Sequence, residues 1–118
     1  MKKILVIDDD KDILEVVRIS LQFYGFHVKT HSTGLNVPDV VQQYQPDLIL
    51  LNIFLPDKPG TEICKELKQL NSKTPIILFS AHAGKGKAFS VCKANGFIQK
   101  PFDIPQFVKT IKSYLEEY

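Results

Sequence analysis

Cysteine is scarce in this chain of 118 residues. Cys64 and Cys92 lie far apart with no CxxC spacing, so both read as reduced thiols of a cytosolic protein. Cys64 shares a helical stripe with Ile63 and Leu67, which favours a core role. An excess of one charge is also missing. Fifteen Lys and Arg face 13 Asp and Glu for a formal charge of +2, too balanced to argue for nucleic acid or a membrane surface. No long hydrophobic run is present. The N-terminal MKKILVIDDD has a short apolar stretch broken by acids, which is neither a signal peptide nor a transmembrane helix. Repeats, low-complexity segments and linkers are absent. His27, His31 and His82 show no metal-ligand spacing and read as surface or turn residues.

What is present is enough apolar material for a folded domain: 44% of the residues are hydrophobic, and this length can bury a core without disulfides or metal. The expected organisation is a single domain over 1–118. Strand-length apolar runs alternate with helical patterns. Ile4-Leu5-Val6-Ile7 is continuously apolar, as a strand covered on both faces must be. Asp10 can cap a helix from about Lys11 to Tyr24, with Leu14, Val17, Leu21 and Tyr24 on one face and Gly25 as the stop. Phe26 to Thr30 suits a second strand with Val28 buried. Asn36 to Tyr44 is a weaker helix, with Pro38 tolerated in its first turn and Pro46 beyond its end. Leu48 to Leu51 is the strongest buried strand. Thr61 to Leu70 forms a helix burying Ile63, Leu67 and Leu70. Pro75 leads into a strand over Ile76 to Phe79. Gly84 and Gly86 make a poor helix start before a short helix around Ala88 to Lys93, since glycine costs ~1 kcal/mol against alanine there. Gly96 to Gln99 is a fifth strand. Asp103 caps a last helix with Pro105 in its first turn and Phe107, Val108, Ile111 and Leu115 buried.

Five β-α units of this kind imply an α/β fold, a doubly wound five-stranded parallel sheet with helices on both faces. The default site is then the carboxyl edge of the sheet. Asp8, Asp9 and Asp10 follow the first strand and Asn52 ends the third. Ser80 and Ala81 follow the fourth, and Lys100 and Pro101 the fifth. Each piece alone is weak, since an acidic run before a helix is often just a cap with favourable dipole charges. Their convergence on one edge carries the information.

The chain resembles a response-regulator receiver domain, the CheY-like, flavodoxin-like (βα)5 module of two-component signalling. The matching residues are VIDDD (Val6 to Asp10), PDLILLN (Pro46 to Asn52), Leu55-Pro56 with Gly60, Phe79-Ser80-Ala81, and Lys100-Pro101-Phe102-Asp103. The resemblance implies roles position by position. Asp9 directly, and Asp8 through water, would hold Mg²⁺, and the Phe54 carbonyl would complete the metal site. Ser80 matches the hydroxyl and Lys100 the cation that meet a phosphoryl group. Ala81 matches the small residue beside it, and Phe97 the aromatic switch position. The Lys100-Pro101 peptide is expected to be cis. Such a module is not an enzyme; its expected partner is a sensor histidine kinase or another two-component signalling protein in the cytoplasm. Neither direct nucleic-acid contact nor membrane attachment is expected, and the chain is read as a monomer or weak dimer.

Two departures qualify the resemblance. The family's phosphoacceptor is an aspartate where this chain has Asn52. A carboxamide is a poor nucleophile, so Asn52 is not expected to be phosphorylated, and it removes one negative charge from the metal site. Its amide oxygen can still ligate, so the reading is a weakened or empty Mg²⁺ site. The stretch between Ser80 and Lys100 is also about two residues short of the usual pattern, with Lys93 where glycine is common. That places the standard receiver dimer in question. The leading reading is an atypical receiver acting through protein contacts. The alternative is an ordinary phospho-receiver in which Asn52 was introduced in place of aspartate. A flavin binder is disfavoured because the loop after the first strand is triply acidic and would repel phosphate. An aspartate-nucleophile phosphatase is disfavoured by Asn52 itself. Asp57 and the Lys85, Lys87, Lys93 group read as a loop carboxylate and a solvated face.

Overall fold

The apolar run near the N-terminus forms strand β1 (Lys3–Ile7), and the acids after it cap helix α1 (Lys11–Phe23). The chain continues through β2 (His27–His31), α2 (Val37–Tyr44), β3 (Leu48–Asn52), α3 (Gly60–Leu70), β4 (Ile76–Ser80), β5 (Gly96–Gln99) and α4 (Ile104–Leu115). The structure is a computed structural model in which residues 1–70, 73–80, 93–100 and 102–115 are described. The Gly84–Lys87 segment and the helix expected around Ala88 lie outside the described residues.

The five strands are all parallel, in the order β2-β1-β3-β4-β5. Side chains alternate across the sheet, and the two faces carry separate cores. Ile4, Val6, Leu48, Leu50, Ile77 and Phe79 pack against α1 and α4. Leu5, Ile7, Ile49, Leu51, Ile76 and Leu78 pack against α2 and α3. Coverage on both faces explains why β1, β3 and β4 read as unbroken apolar runs. Cys64 is fully buried in the second core, as its stripe position predicts.

Three expectations need correction. Tyr24 does not continue the buried face of α1; it is the C-cap and is 40% exposed. The helix period lapses there because the chain turns at Gly25, whose φ is +93°. Leu70 closes α3 but is 71% exposed, and the last buried residue of that helix is Leu67. Periodicity gives a direction around the helix, not how far the sheet beneath it extends. Val28 is half-buried, since β2 is an edge strand with its neighbour on one side only.

Local chemistry sets the remaining element ends. Asp10 accepts bonds from the Asp12 and Ile13 amides at 2.9 and 3.3 Å, so α1 begins where a free carboxylate meets unpaired N–H groups. Helix α2 starts after Asn36 at φ 60° with proline in its first turn, and stops at Gln45, φ 54°. Helix α4 is anchored by the Asp103 carbonyl, which accepts from the Phe107 amide at 2.8 Å. Lys93 enters β5 through a turn at φ 64°.

Candidate functional site at the carboxyl edge of the sheet

Strand order decides where the chemistry collects. With β1 beside β3 at the centre, their carboxyl ends deliver Asp8 and Asn52 next to each other, at the point where successive crossovers diverge. Asp8 is fully buried, Asn52 is 7% exposed and Ser80 is 1% exposed. A buried carboxylate is costly without donors, and Asp8 has three. Its Oδ1 accepts from the Asp10 amide at 3.0 Å and from Asn52 Nδ2 at 3.1 Å. Its Oδ2 accepts from the Lys100 ammonium at 2.7 Å.

Lys100 reaches the pocket from the end of β5. Its amide donates to the Ser80 carbonyl at 2.7 Å, which ties it to the end of β4. Its Nζ lies 4.5 Å from the centroid of the Phe79 ring, so the cation is held between a carboxylate and an aromatic face. Ser80 is the last residue of β4, opposite Gln99. Phe97 pairs in register with Leu78 and packs half-buried against the α2/α3 core.

Asn52 is the hub. Its Nδ2 donates to Asp8 Oδ1 at 3.1 Å, to Asp9 Oδ1 at 3.3 Å and to the Phe54 carbonyl at 3.1 Å. Its Oδ1 accepts from the Phe54 amide at 3.3 Å. The loop after β3 is thereby tied to the loop after β1. The same loop is clamped from below by Gly60, whose amide donates to the Ile53 carbonyl at 2.7 Å. A Cβ at Gly60 would stand 2.1 Å from the Asn52 carbonyl oxygen. Only glycine permits that approach.

Asp8, Asp9, Asn52, Phe54 and Lys100 are thus joined by direct bonds, with Ser80 linked through the Lys100 backbone. Asp57 stands apart: its Oδ1 accepts from the Gly34 amide at 2.9 Å, a loop tie. His27 meets the Tyr44 hydroxyl, tying β2 to the end of α2, and His31 meets the Leu35 carbonyl four residues on; neither joins the site. Ala81, His82, Cys92 and the Lys100-Pro101 peptide lie outside the described residues. Sequence reasoning missed that Lys100 already pairs with Asp8 and that the Asn52 amide nitrogen faces the acids. Residue types showed the ingredients, but neither pairing is encoded in spacing.

With this geometry in hand, comparison with known proteins is decisive. The family profile described as the response regulator receiver domain matches residues 4–112. The chain belongs to the response-regulator receiver family. This receiver is 32% identical to the polar-differentiation response regulator DivK of Brucella anthropi, over 97% of this chain and 96% of that protein. The DivK of Brucella abortus matches with the same identity and coverage. Among solved structures, a CheY-like receiver domain protein from Methanospirillum hungatei superposes with a TM-score of 0.93 at 28% identity, covering 99% of this chain and 95% of that one. Vibrio cholerae CheY4 superposes with a TM-score of 0.90 at 27% identity, covering 98% and 99%. The CheY-like, flavodoxin-like fold expected from the sequence is the fold observed.

Receivers are signalling domains that meet histidine kinases or other signalling proteins, and they generally hold Mg²⁺ at their acidic pocket. The oxygens for such an ion are of the right kind here, being hard carboxylate and carbonyl donors. The arrangement is not. The Asp8, Asp9 and Phe54 oxygens already converge on a nitrogen, Asn52 Nδ2. Among the described residues, no group of three or more His, Cys, Asp or Glu side chains is placed to hold a metal ion. The Asn52 amide nitrogen stands at the point on which those three oxygens converge. Among the described residues, too, no helix is long and apolar enough to cross a membrane.

Proposed function

We propose that this chain is an atypical receiver that signals through protein-protein contacts without phosphorylation at position 52. The observation that carries the reading is Asn52 itself: a neutral carboxamide at the acceptor position, committed through both of its polar atoms to hydrogen bonds. Phosphoryl transfer depends on charge stabilisation and alignment. Lys100, Ser80 and the acidic pair would supply those, but a nucleophile is missing. The amide nitrogen lone pair is delocalised, and the amide oxygen is a far weaker nucleophile than a carboxylate.

In this reading Ser80, Lys100 and Phe97 keep their family positions in a fixed arrangement at the carboxyl edge of the sheet. The partners are a histidine kinase or another two-component protein, not nucleic acid or membrane. The chain works in the cytoplasm as a monomer or weak dimer. Asp8 and Asp9 are retained, but the pocket has one anionic ligand fewer, so Mg²⁺ binds more weakly than it would with aspartate at position 52.

The test is phosphorylation from acetyl phosphate with Mg²⁺, read by intact mass. The native chain should gain nothing and Asn52→Asp should gain one phosphoryl group, since the change supplies a nucleophile with almost no change in volume. Phosphate on the native chain, at Asp9 or Asp57 for instance, would overturn the reading.

A further inference from the structure

The orientation of the Asn52 amide has a consequence beyond the missing nucleophile. Three oxygens surround Nδ2 at 3.1–3.3 Å, while Oδ1 faces an N–H. The orientation is chemically determined. Turned over, the amide oxygen would face those three oxygens, two of them on carboxylates, and the nitrogen would face a donor. An NH₂ group carries two N–H donors and no acceptor, so its partly positive hydrogens are shared among the Asp8, Asp9 and Phe54 oxygens. The ammonium of Lys100 holds the remaining Asp8 oxygen at 2.7 Å. Two carboxylates therefore have donors from an amide and a full positive charge without any added ion.

We infer that the Asn52 amide nitrogen stands in for the divalent cation, so that the pocket keeps its arrangement without metal and resists metal binding because the amide fills the site. Simple loss of a charge would make Mg²⁺ bind weakly to ligands that remain available. Occupancy by the amide is a stronger condition. A cation could enter only if the side chain turned over or withdrew, giving up the bonds to Asp8, Asp9 and Phe54. Mg²⁺ requires near-octahedral oxygens at about 2.0–2.1 Å, and that demand is incompatible with a nitrogen at the point of convergence. The signalling surface of this receiver is then set by the sequence rather than gated by cation supply. The inference deepens the proposed function and rests on position 52 being the pocket's organising residue.

Truncating the amide separates the two accounts. Asn52→Ala adds no charge, but it vacates the space between the Asp8, Asp9 and Phe54 oxygens, where a hydrated ion could then sit. If the amide fills the site, Asn52→Ala binds Mg²⁺ or Mn²⁺ more tightly than the native chain by ~10-fold or more, because entry no longer breaks hydrogen bonds. Asn52→Asp should bind tightest. If charge loss alone weakens the site, the alanine variant binds no better than the native chain, and that result overturns the inference.

Binding is read by calorimetry with Mg²⁺ and by Mn²⁺ broadening of the Asp9 and Phe54 amide resonances, with no phosphodonor present. A second measurement needs no variant. The Asn52 side-chain NH₂ signals of the native chain should be protected from solvent exchange and stay unmoved as Mg²⁺ is added to ~10 mM, above the ~10⁻⁴–10⁻³ M range of weak oxygen-ligated Ca²⁺ sites. Signals that shift and saturate in that range would overturn the inference even if the alanine variant fails to fold. Phosphorylation of Asn52→Asp tests the proposed function separately, so the two can fail independently.

Discussion

Asp8 and Lys100 show how a buried charge is kept at the scale of one residue. Asp8 is fully buried, and the Lys100 side chain is 15% exposed. Removing one partner of such a pair strands the other charge, which matters more than any net contribution of the pair itself. Lys100→Met should therefore destabilise the fold by about 3 kcal/mol, at the lower end of the range for broken buried pairs because Asp8 keeps the Asp10 and Asn52 donors. Adding Asp8→Asn should recover much of that loss, since no charge is then left unpaired. Urea unfolding of both variants measures this. A double variant that loses the sum of the two single changes would show that the residues act independently. Asp57 makes the opposite point: it is a loop carboxylate near the site in sequence, yet its bond to the Gly34 amide makes it structural.

At the scale of elements, the pocket depends on how α3 starts and how β5 begins. Helix α3 begins at Gly60 in contact with the exit of β3. Gly60→Ala would press a methyl group into backbone that also shapes the Asn52 loop. Overpacked sites typically cost about 1–3 kcal/mol, and this one should lie at or above the top of that range because its neighbours are main-chain atoms. A thermal melt of Gly60→Ala within a degree of the native chain would contradict the close approach. The opposite case is Lys93, a non-glycine residue at φ 64° in an exposed turn. Left-handed backbone costs an L-residue about 1–2 kcal/mol, and glycine's extra chain entropy costs about 0.5–1 kcal/mol. Lys93→Gly should raise stability by up to about 1.5 kcal/mol on that difference. A lower melting point would show that the lysine side chain makes a contact outweighing the strain.

Across the whole molecule, the sheet order puts rigid and soft parts in predictable places. Strands β1, β3 and β4 each have neighbours on both sides, with cores above and below. Strand β2 has one neighbour and no fully buried residue. Native-state hydrogen exchange should therefore be slowest at Ile4–Ile7, Leu48–Leu51 and Ile76–Phe79, near the global unfolding free energy. It should be faster along His27–His31, which can fray without opening either core. Equal protection in β2 would mean that an uncounted element covers that edge. Because the site hangs from the carboxyl ends of β1 and β3, it belongs to the most protected part of the fold.

Much of the fold was legible in the sequence because it rests on local rules. Two-sided strands need continuous apolar runs, and helices need a stripe, a cap such as Asp10 and a stop such as Gly25. Those rules recovered the order of the described elements and the acidic, amide, hydroxyl and lysine residues at one edge. They placed Tyr24 and Leu70 in the core wrongly, because a stripe says which way a side chain points and not whether anything lies there to cover it. They also left Asp8, Asn52 and Lys100 as separate ingredients. Residues 8, 52 and 100 meet because β3 inserts between β1 and β4, a long-range pairing that no window of sequence contains. The direction in which the Asn52 amide turns was settled only there. A carboxamide can present oxygen or nitrogen with equal ease, and the choice falls to the neighbours that tertiary structure assembles: two acids and a carbonyl on one side, an N–H on the other.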